Sequence, residues 1–236
     1  MFFTSKKYQS QLIFHITAIL LIVGITKSWT NITEKNINQL YSHRNPTINQ
    51  KECDNISKQG SKATYGEILY TSMQRILDDL KLSKKDVFYD LGCGTGKVVV
   101  QCYLNTKVKK TCGIELSPTR FNHVQAVKNE LKEQNRIFKK RKLEFLLEDI
   151  QSSNLKDATA VYMCSTCYPD NLMKKLTKKL EMGKKDLRIV TLKKLAENKT
   201  FSLVKEYLLP TTWSQSLPVY LYEHKEYQNK STQSQR

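Results

Sequence analysis

Apolar positions along residues 64–192 recur with two periods that take turns. Ile68, Leu69, Met73, Ile76, Leu77 and Leu80 have the i, i+3/i+4 spacing of one helix face, and 82–85 then turns the chain into a short β-forming run at 87–89. A second strand is predicted at 111–115. It is followed by a helix that carries Phe121, Val124, Val127 and Leu131, with Ser117 placed as N-cap and Pro118 at the first helical position. Strands at 143–147, 158–163 and 187–192 come next. Between the last two, residues 170–180 predict a helix with Leu172, Met173, Leu176 and Leu180 inward, Lys174, Lys175, Lys178 and Lys179 outward, and Gly183 as its stop. Two β-rich segments, 201–208 and 218–222, finish the pattern without a comparable helix between them. Strands alternating with helices and closed by a strand pair predict a three-layer α/β/α sandwich, Rossmann-like, with antiparallel C-terminal strands.

Outside this region the pattern changes. Residues 12–25 are almost wholly apolar behind Lys6 and Lys7. That run falls short of the ~20 residues a spanning helix needs and resembles the apolar region of a signal peptide. An export signal or an uncleaved N-terminal membrane anchor is therefore expected, with a buried core helix as the alternative. Residues 29–60 are polar and Asn-rich and read as a linker or loosely packed arm. The expected division is 1–28 signal or anchor, 29–60 arm, 61–224 a single domain and 225–236 a polar tail, since 236 residues suit one full-sized domain.

Composition adds a partner class but not a partner. With 39 Lys and Arg against 22 Asp and Glu the formal charge is +17, which suits nucleic acid, an acidic protein face or an anionic membrane. The cysteines at 53, 93, 102, 112, 164 and 167 lack the dense spacing of a disulfide scaffold. Cys164 and Cys167 form a CxxC without a second ligand pair, so buried thiols are expected and no metal.

The candidate chemistry lies after the first strand, in Phe88-Tyr89-Asp90-Leu91-Gly92-Cys93-Gly94-Thr95-Gly96-Lys97. Glycine at every second position lets the backbone turn sharply, approach a ligand and enter a helix. The spacing is G-x-G-x-G with Asp90 two residues ahead, where a carboxylate suits the cationic end of S-adenosylmethionine (SAM) and would repel a pyrophosphate. Glu115 ends the second strand, where it can accept ribose hydroxyls, and Asp149 follows the third, where it can receive the adenine amino group. No hydroxyl follows Gly96-Lys97, which excludes a P-loop.

This constellation looks like the seven-strand, class I SAM-dependent methyltransferases. Tyr65-Gly66-Glu67 ahead of the first strand, the run from Asp86 to Gly92 with Val98 to Gln101, Gly113-Ile114-Glu115, and Trp213 followed by Pro218-Val219-Tyr220 narrow the resemblance to the Dot-one (disruptor of telomeric silencing) histone lysine methyltransferases. The resemblance implies a SAM-dependent protein-lysine N-methyltransferase whose partner is a protein substrate with a target lysine, a histone or nucleosome. It implies cofactor binding by Tyr65, Gly66, Glu67, Phe88, Asp90, Gly92, Cys93, Gly94, Thr95, Gly96, Lys97, Glu115, Asp149 and Ile150. Tyr220, with Tyr222 as second choice, would be the catalytic tyrosine walling the lysine channel beside Trp213. The chain departs from the family at Cys164-Ser165, where the family carries Asn-Asn, and at Cys93, Thr95 and Lys97. Two other readings stand beside it: a membrane-tethered methyltransferase of a membrane-protein lysine, such as an ATP-synthase c subunit, and a SAM-binding module without transfer. An Asn/Asp-Pro-Pro-Tyr run is absent after the fourth strand, which opposes a DNA amino methyltransferase.

Overall fold

Strand β1 (Val87–Leu91) is buried at all of its positions, as a central parallel strand covered on both faces must be. In the computed structural model, which describes residues 32–227, it stands third in a seven-stranded sheet of order β3-β2-β1-β4-β5-β7-β6. The remaining strands are β2 (Lys110–Glu115), β3 (Lys142–Leu147), β4 (Ala160–Met163), β5 (Arg188–Thr191), β6 (Phe201–Leu209) and β7 (Leu217–His224). The first five are parallel; β7 inserts antiparallel between β5 and β6. The predicted sandwich and its antiparallel finish are what the chain forms.

Alternation along β1 divides the core. Phe88 faces helix α3 (Tyr70–Leu80), packing with Met73, Ile76 and Leu77, while Tyr89 and Leu91 face helix α6 (Asp170–Glu181) through Leu172, Met173 and Leu176. The chain runs outward from β1 through α4 (Lys97–Asn105), β2 and α5 (Pro118–Glu133) to β3, then returns to β4 on the other side of β1. The order of strands reverses there. A crevice opens outside the carboxyl ends at such a point, and it is where ligands bind in open α/β sheets.

The stretch expected to be a linker or loose arm instead contains two helices, α1 (Glu34–Tyr41) and α2 (Gln50–Lys58). Thr33 caps α1 in a capping box with Asn36, and the Asn49 side chain accepts the Glu52 N–H to cap α2. Ile32, Ile37, Leu40 and Tyr41 bury themselves against Val99, Val100, Tyr103 and Val124. The apolar positions are few and the helices span two to three turns each, so no long periodic run announces them.

Glu52 fastens this region to the domain. Its carboxylate accepts from the Ser117 hydroxyl, from the Thr119 N–H (3.1 Å) and from the Thr119 hydroxyl (2.6 Å), at the N-terminus of α5. Burial alone would raise its pKa, but these bonds and Arg120 hold it below the ordinary value. Glu52→Ala is expected to cost about 1–3 kcal/mol, the worth of hydrogen bonds to a charged group. Thermal unfolding should record a fall of roughly 2–4 °C per kcal/mol for a chain of this size; an unchanged midpoint would mean that α2 docks without it.

Among the described residues no helix is long and apolar enough to cross a membrane. The apolar run at 12–25 lies outside the described residues.

Candidate cofactor and active site

The loop after β1 folds back under its own strand end. Gly92 and Cys93 both donate to the Ile114 carbonyl at 2.9 Å, and Gly92, Gly94 and Gly96 take left-handed φ values of 76°, 56° and 81°. At the end of β2, Glu115 accepts the Gly94 N–H on one oxygen (2.7 Å) and the Ser117 N–H on the other (2.8 Å). Each oxygen keeps a free lone pair for a hydroxyl. Asp149 is fixed by Gln151, whose backbone N–H (2.8 Å) and side-chain amide (3.1 Å) both donate to it. The half-buried Lys179, which the helical pattern placed outward, holds this turn by donating to the Ile150 and Gln151 carbonyls at 2.9 Å each.

These strand ends border a cavity of about 450 Å³, within the range of small-molecule pockets. Asp90, Gly92, Cys93, Gly94, Thr95, Lys97, Glu115, Asp149 and Ile150 line it, together with Tyr65, Gly66 and Glu67 from the segment ahead of α3. That lid is bolted to the glycine loop. The Tyr65 hydroxyl donates to Glu67 and meets the Thr95 hydroxyl at 2.8 Å, and Lys97 pairs with Glu67 at 2.6 Å. Lys97 is thus a lid partner and not a free cation. Arg120 spans the same region, with its guanidinium 4.9 Å from the Tyr65 ring and donating to the Pro46 and Ala63 carbonyls.

Trp213 also lines the cavity, and its ring presses on Gly66, where a Cβ would stand 2.5 Å from the indole. It remains 43% exposed, so it walls the cavity and does not fill the core.

Three expected site residues lie elsewhere. Phe88 is fully buried in the core beneath α3, because alternation turns it into the sheet's packing face. Gly96 caps α4, where a side chain would meet Phe145 at 2.9 Å, so its role is helix–sheet packing. Tyr220 does not line the cavity. It pairs with Thr191 across β5–β7, packs with Tyr222 on the α6 side of the sheet, and has Lys194 5.4 Å from its ring. Strand alternation sends Val219 and Leu221, not Tyr220, toward the lid side, so the channel role expected for Tyr220 is not supported.

Groups outside the expected cofactor set also enter the cavity. Tyr162, Cys164, Thr166, Cys167 and Tyr168 line it from the end of β4 and the turn beyond. Ser165 does not: its hydroxyl is 2.7 Å from that of Thr191 and accepts the Leu192 and Lys193 N–H groups, tying β4 to β5. Of the two positions that depart from the family's Asn-Asn, only Cys164 borders the cavity. Burial, then Asp90, pushes its thiol up to about 12, so it stays protonated and poorly nucleophilic at neutral pH. No cluster suited to a metal occurs among the described residues.

One atom tests the fit of a cationic ligand. Asp90 is 2% exposed, and its Oδ1 has no hydrogen-bond partner among the described residues. Burial first, then the nearby Glu115, drives its pKa well above the ordinary carboxylate value. An amino group arriving as ammonium supplies both the missing donor and the missing charge. The donor set therefore fits SAM.

Residues 46–209 match the family model described as histone methylation protein DOT1. The chain belongs to the DOT1 family. A Caenorhabditis elegans histone-lysine N-methyltransferase, H3 lysine-79 specific, is 33% identical over 150 residues, 60% of this chain and 16% of that protein. A Saccharolobus islandicus protein-lysine N-methyltransferase is 35% identical over 54 residues, 23% of this chain and 34% of that protein. The DOT1 chain thus spans about a sixth of the Caenorhabditis relative and a third of the archaeal one. Among solved structures, an RNA methyltransferase from Salinibacter ruber in complex with S-adenosyl-L-homocysteine superposes with a TM-score of 0.50 at 18% identity, covering 66% of this chain and 91% of that one. At that identity the likeness is one of fold. The expected export or membrane anchoring is overturned by these relatives of the DOT1 type, which are named for lysine 79 of histone H3.

Proposed function

We propose that this DOT1-family chain is a SAM-dependent protein-lysine N-methyltransferase of the histone-lysine type. The observation that carries the reading is the convergence of Asp90, Glu115 and Asp149 from three successive strand ends on one cavity, beneath a Tyr65-Gly66-Glu67 lid. Asp90 would hold the amino group, Glu115 the ribose hydroxyls and Asp149 the adenine amino group. SAM supplies the electrophilic methyl group. Tyr65 and Trp213 close the cavity around the reacting centre and shed water. Tyr65 takes no proton, because burial and Glu67 push its pKa far above neutrality. Loss of the ammonium proton to solvent ahead of attack needs no dedicated base. The methyltransferase unit would include α2, because Ile56 lines the same cavity, and α1, which packs on Val99, Val100 and Tyr103 of α4.

Charge bears on the substrate. Free histones and this chain, at +17, are both cationic, whereas nucleosomal phosphates are not. The nucleosome is therefore the preferred partner. Incubating the full chain with labelled SAM and either nucleosomes or free histones is expected to place label on lysine, more on nucleosomes and less as salt rises. SAM binding by calorimetry with no label on lysine would leave a SAM-binding module and reject the transferase reading.

A further inference from the structure

Tyr162 carries a buried polar atom that neither the core nor the cofactor site uses. It lies on β4 directly beside Asp90 of β1, is 1% exposed, and lines the cavity. Its hydroxyl has no hydrogen-bond partner of ordinary geometry among the described residues; the nearest polar company is the Cys164 thiol, a weak partner at best. A buried hydroxyl left unpaired costs free energy, and its persistence calls for a ligand. Cys164 at the same strand end offers only a weak acceptor.

The side of the cavity identifies the ligand. Cys164, two residues beyond Tyr162, directs its thiol at the Gly66 carbonyl of the lid (3.8 Å), under the Trp213 ring. Tyr162 therefore faces the lid-covered end, where a target amine enters, while the Asp90 carboxylate beside it already answers the cofactor's ammonium. The neighbouring Tyr168 hydroxyl is turned instead to the Leu91 carbonyl, to which it donates at 2.7 Å, and lies against Gly92 of the glycine loop.

We propose that the Tyr162 hydroxyl accepts an N–H from the substrate amine and thereby sets both the aim of its lone pair and the number of methyl groups it receives. The inference rests on the transferase reading above. In the step, the amine lone pair forms the N–C bond, the S–C pair returns to sulfur to leave a thioether, and the new ammonium releases its proton to solvent. The hydroxyl serves an amine that still has an N–H to offer. A methyl group turned toward it offers the hydroxyl no N–H and buries it unpaired, so transfer to already methylated lysine is disfavoured. Burial and the neighbouring Cys164 and Asp90 keep the phenol protonated, so the group is neutral throughout.

Tyr162→Phe removes the hydroxyl and keeps the ring. With SAM saturating, its rate on unmodified lysine is expected to fall about tenfold, the equivalent of one hydrogen bond, and mass spectra of the product should shift from mono- toward di- and trimethyl-lysine. Calorimetric affinity for SAM should hold, and the thermal midpoint of the ligand-free protein should hold or rise, because no protein partner is lost and an unpaired buried hydroxyl is removed. An unchanged rate and unchanged product distribution would overturn the assignment. So would a loss of SAM affinity with the saturated rate intact, which would give the hydroxyl to the cofactor. Wild-type protein assayed alongside separates the levels of the argument. Transfer by wild type with an unaffected variant rejects the role of Tyr162 alone, and no wild-type transfer to lysine rejects the reading beneath it as well.

Discussion

Asp90→Asn is expected to lower affinity for SAM by about 100-fold or more while raising the thermal stability of the ligand-free protein. The two effects have one origin. Asp90 is a buried carboxylate with an unpartnered oxygen and the Glu115 charge close by, and desolvation of an unpaired charge opposes folding. Asparagine keeps the shape and removes the charge, a relief on the order of 1–3 kcal/mol. With the ammonium in place the same carboxylate is the partner of a buried ion pair, and removing one member costs about 3–5 kcal/mol, which is two or more decades in affinity. The pH dependence follows in sign. A carboxyl whose folded pKa is raised weakens the fold above its ordinary value, and that loss is recovered as pH falls through the raised value. SAM affinity runs the other way and declines over the same interval, since a protonated Asp90 cannot pair with the ammonium. Glu115 is raised as well, by burial against the counteracting N–H bonds of Ser117 and Gly94 and the Arg120 charge, and adds to that decline. Calorimetry with SAM across acidic to neutral pH, with thermal melts of both proteins, reads all of these. Equal SAM affinity of variant and wild type would remove Asp90 from the site.

How far this site could be read beforehand depends on where its information resides. The glycine loop, Asp90, Glu115 and Asp149 are legible because local rules place them: a strand must end, a loop must turn, and the carboxylates follow at the strand ends. Ser117 as N-cap is legible for the same reason, and its hydroxyl does accept the Arg120 N–H at 3.1 Å. Phe88 and Gly96 belong to the same run but do not line the cavity. Only the sheet's alternation and the packing of Phe145 separate them from their neighbours. Tyr220 lies off the cavity through the same periodicity on β7, where a motif position gives no face. Tyr162 and Tyr168 could not be found by motif. Their place in the cavity depends on β4 returning beside β1 and on the turn beyond it, a long-range pairing that no local pattern encodes.

The arm shows a different limit. Its buried residues are few, and the Asn-rich composition around them is that of a loop. What makes α1 structural is its partner surface, formed by Val99, Val100 and Tyr103 of α4 and Val124 of α5, and α2 is held at the start of α5 by Glu52; the sequence near residue 40 describes neither. Cap residues were the available signal: Thr33 with Asn36, and Asn49 three residues ahead of Glu52.

The opposite end of the sheet carries the second large effect. Asp86, just before β1, accepts the Ser83 N–H (2.6 Å) and hydroxyl (2.7 Å) on one oxygen, and the Thr159 hydroxyl (2.8 Å) and the Arg188 guanidinium on the other. Arg188, 4% exposed at the start of β5, donates also to the Leu80 carbonyl at the end of α3. This cluster binds β1, β4, β5 and α3 at the foot of the strands whose other ends present Asp90 and Tyr162. Asp86→Ala strands the buried Arg188 charge and is expected to cost about 3–5 kcal/mol, roughly 6–20 °C in thermal midpoint. Replacing both partners, Asp86→Leu with Arg188→Met, is expected to cost less than Asp86→Ala alone, since no uncompensated charge remains. Burial alone would raise the Asp86 pKa, but the Ser83 bonds, Arg188 and Thr159 bring it below the ordinary carboxylate value. Its contribution is therefore complete above the unfolded value of about 3.9 and disappears as pH falls through the lower folded value. Wild type should lose more stability over that interval than Asp86→Ala, the difference being the Asp86 contribution. Chemical denaturation of the three proteins at neutral and acidic pH measures the difference. A single variant as stable as wild type, or a double variant worse than the single, would show that the pair does not hold the strands together.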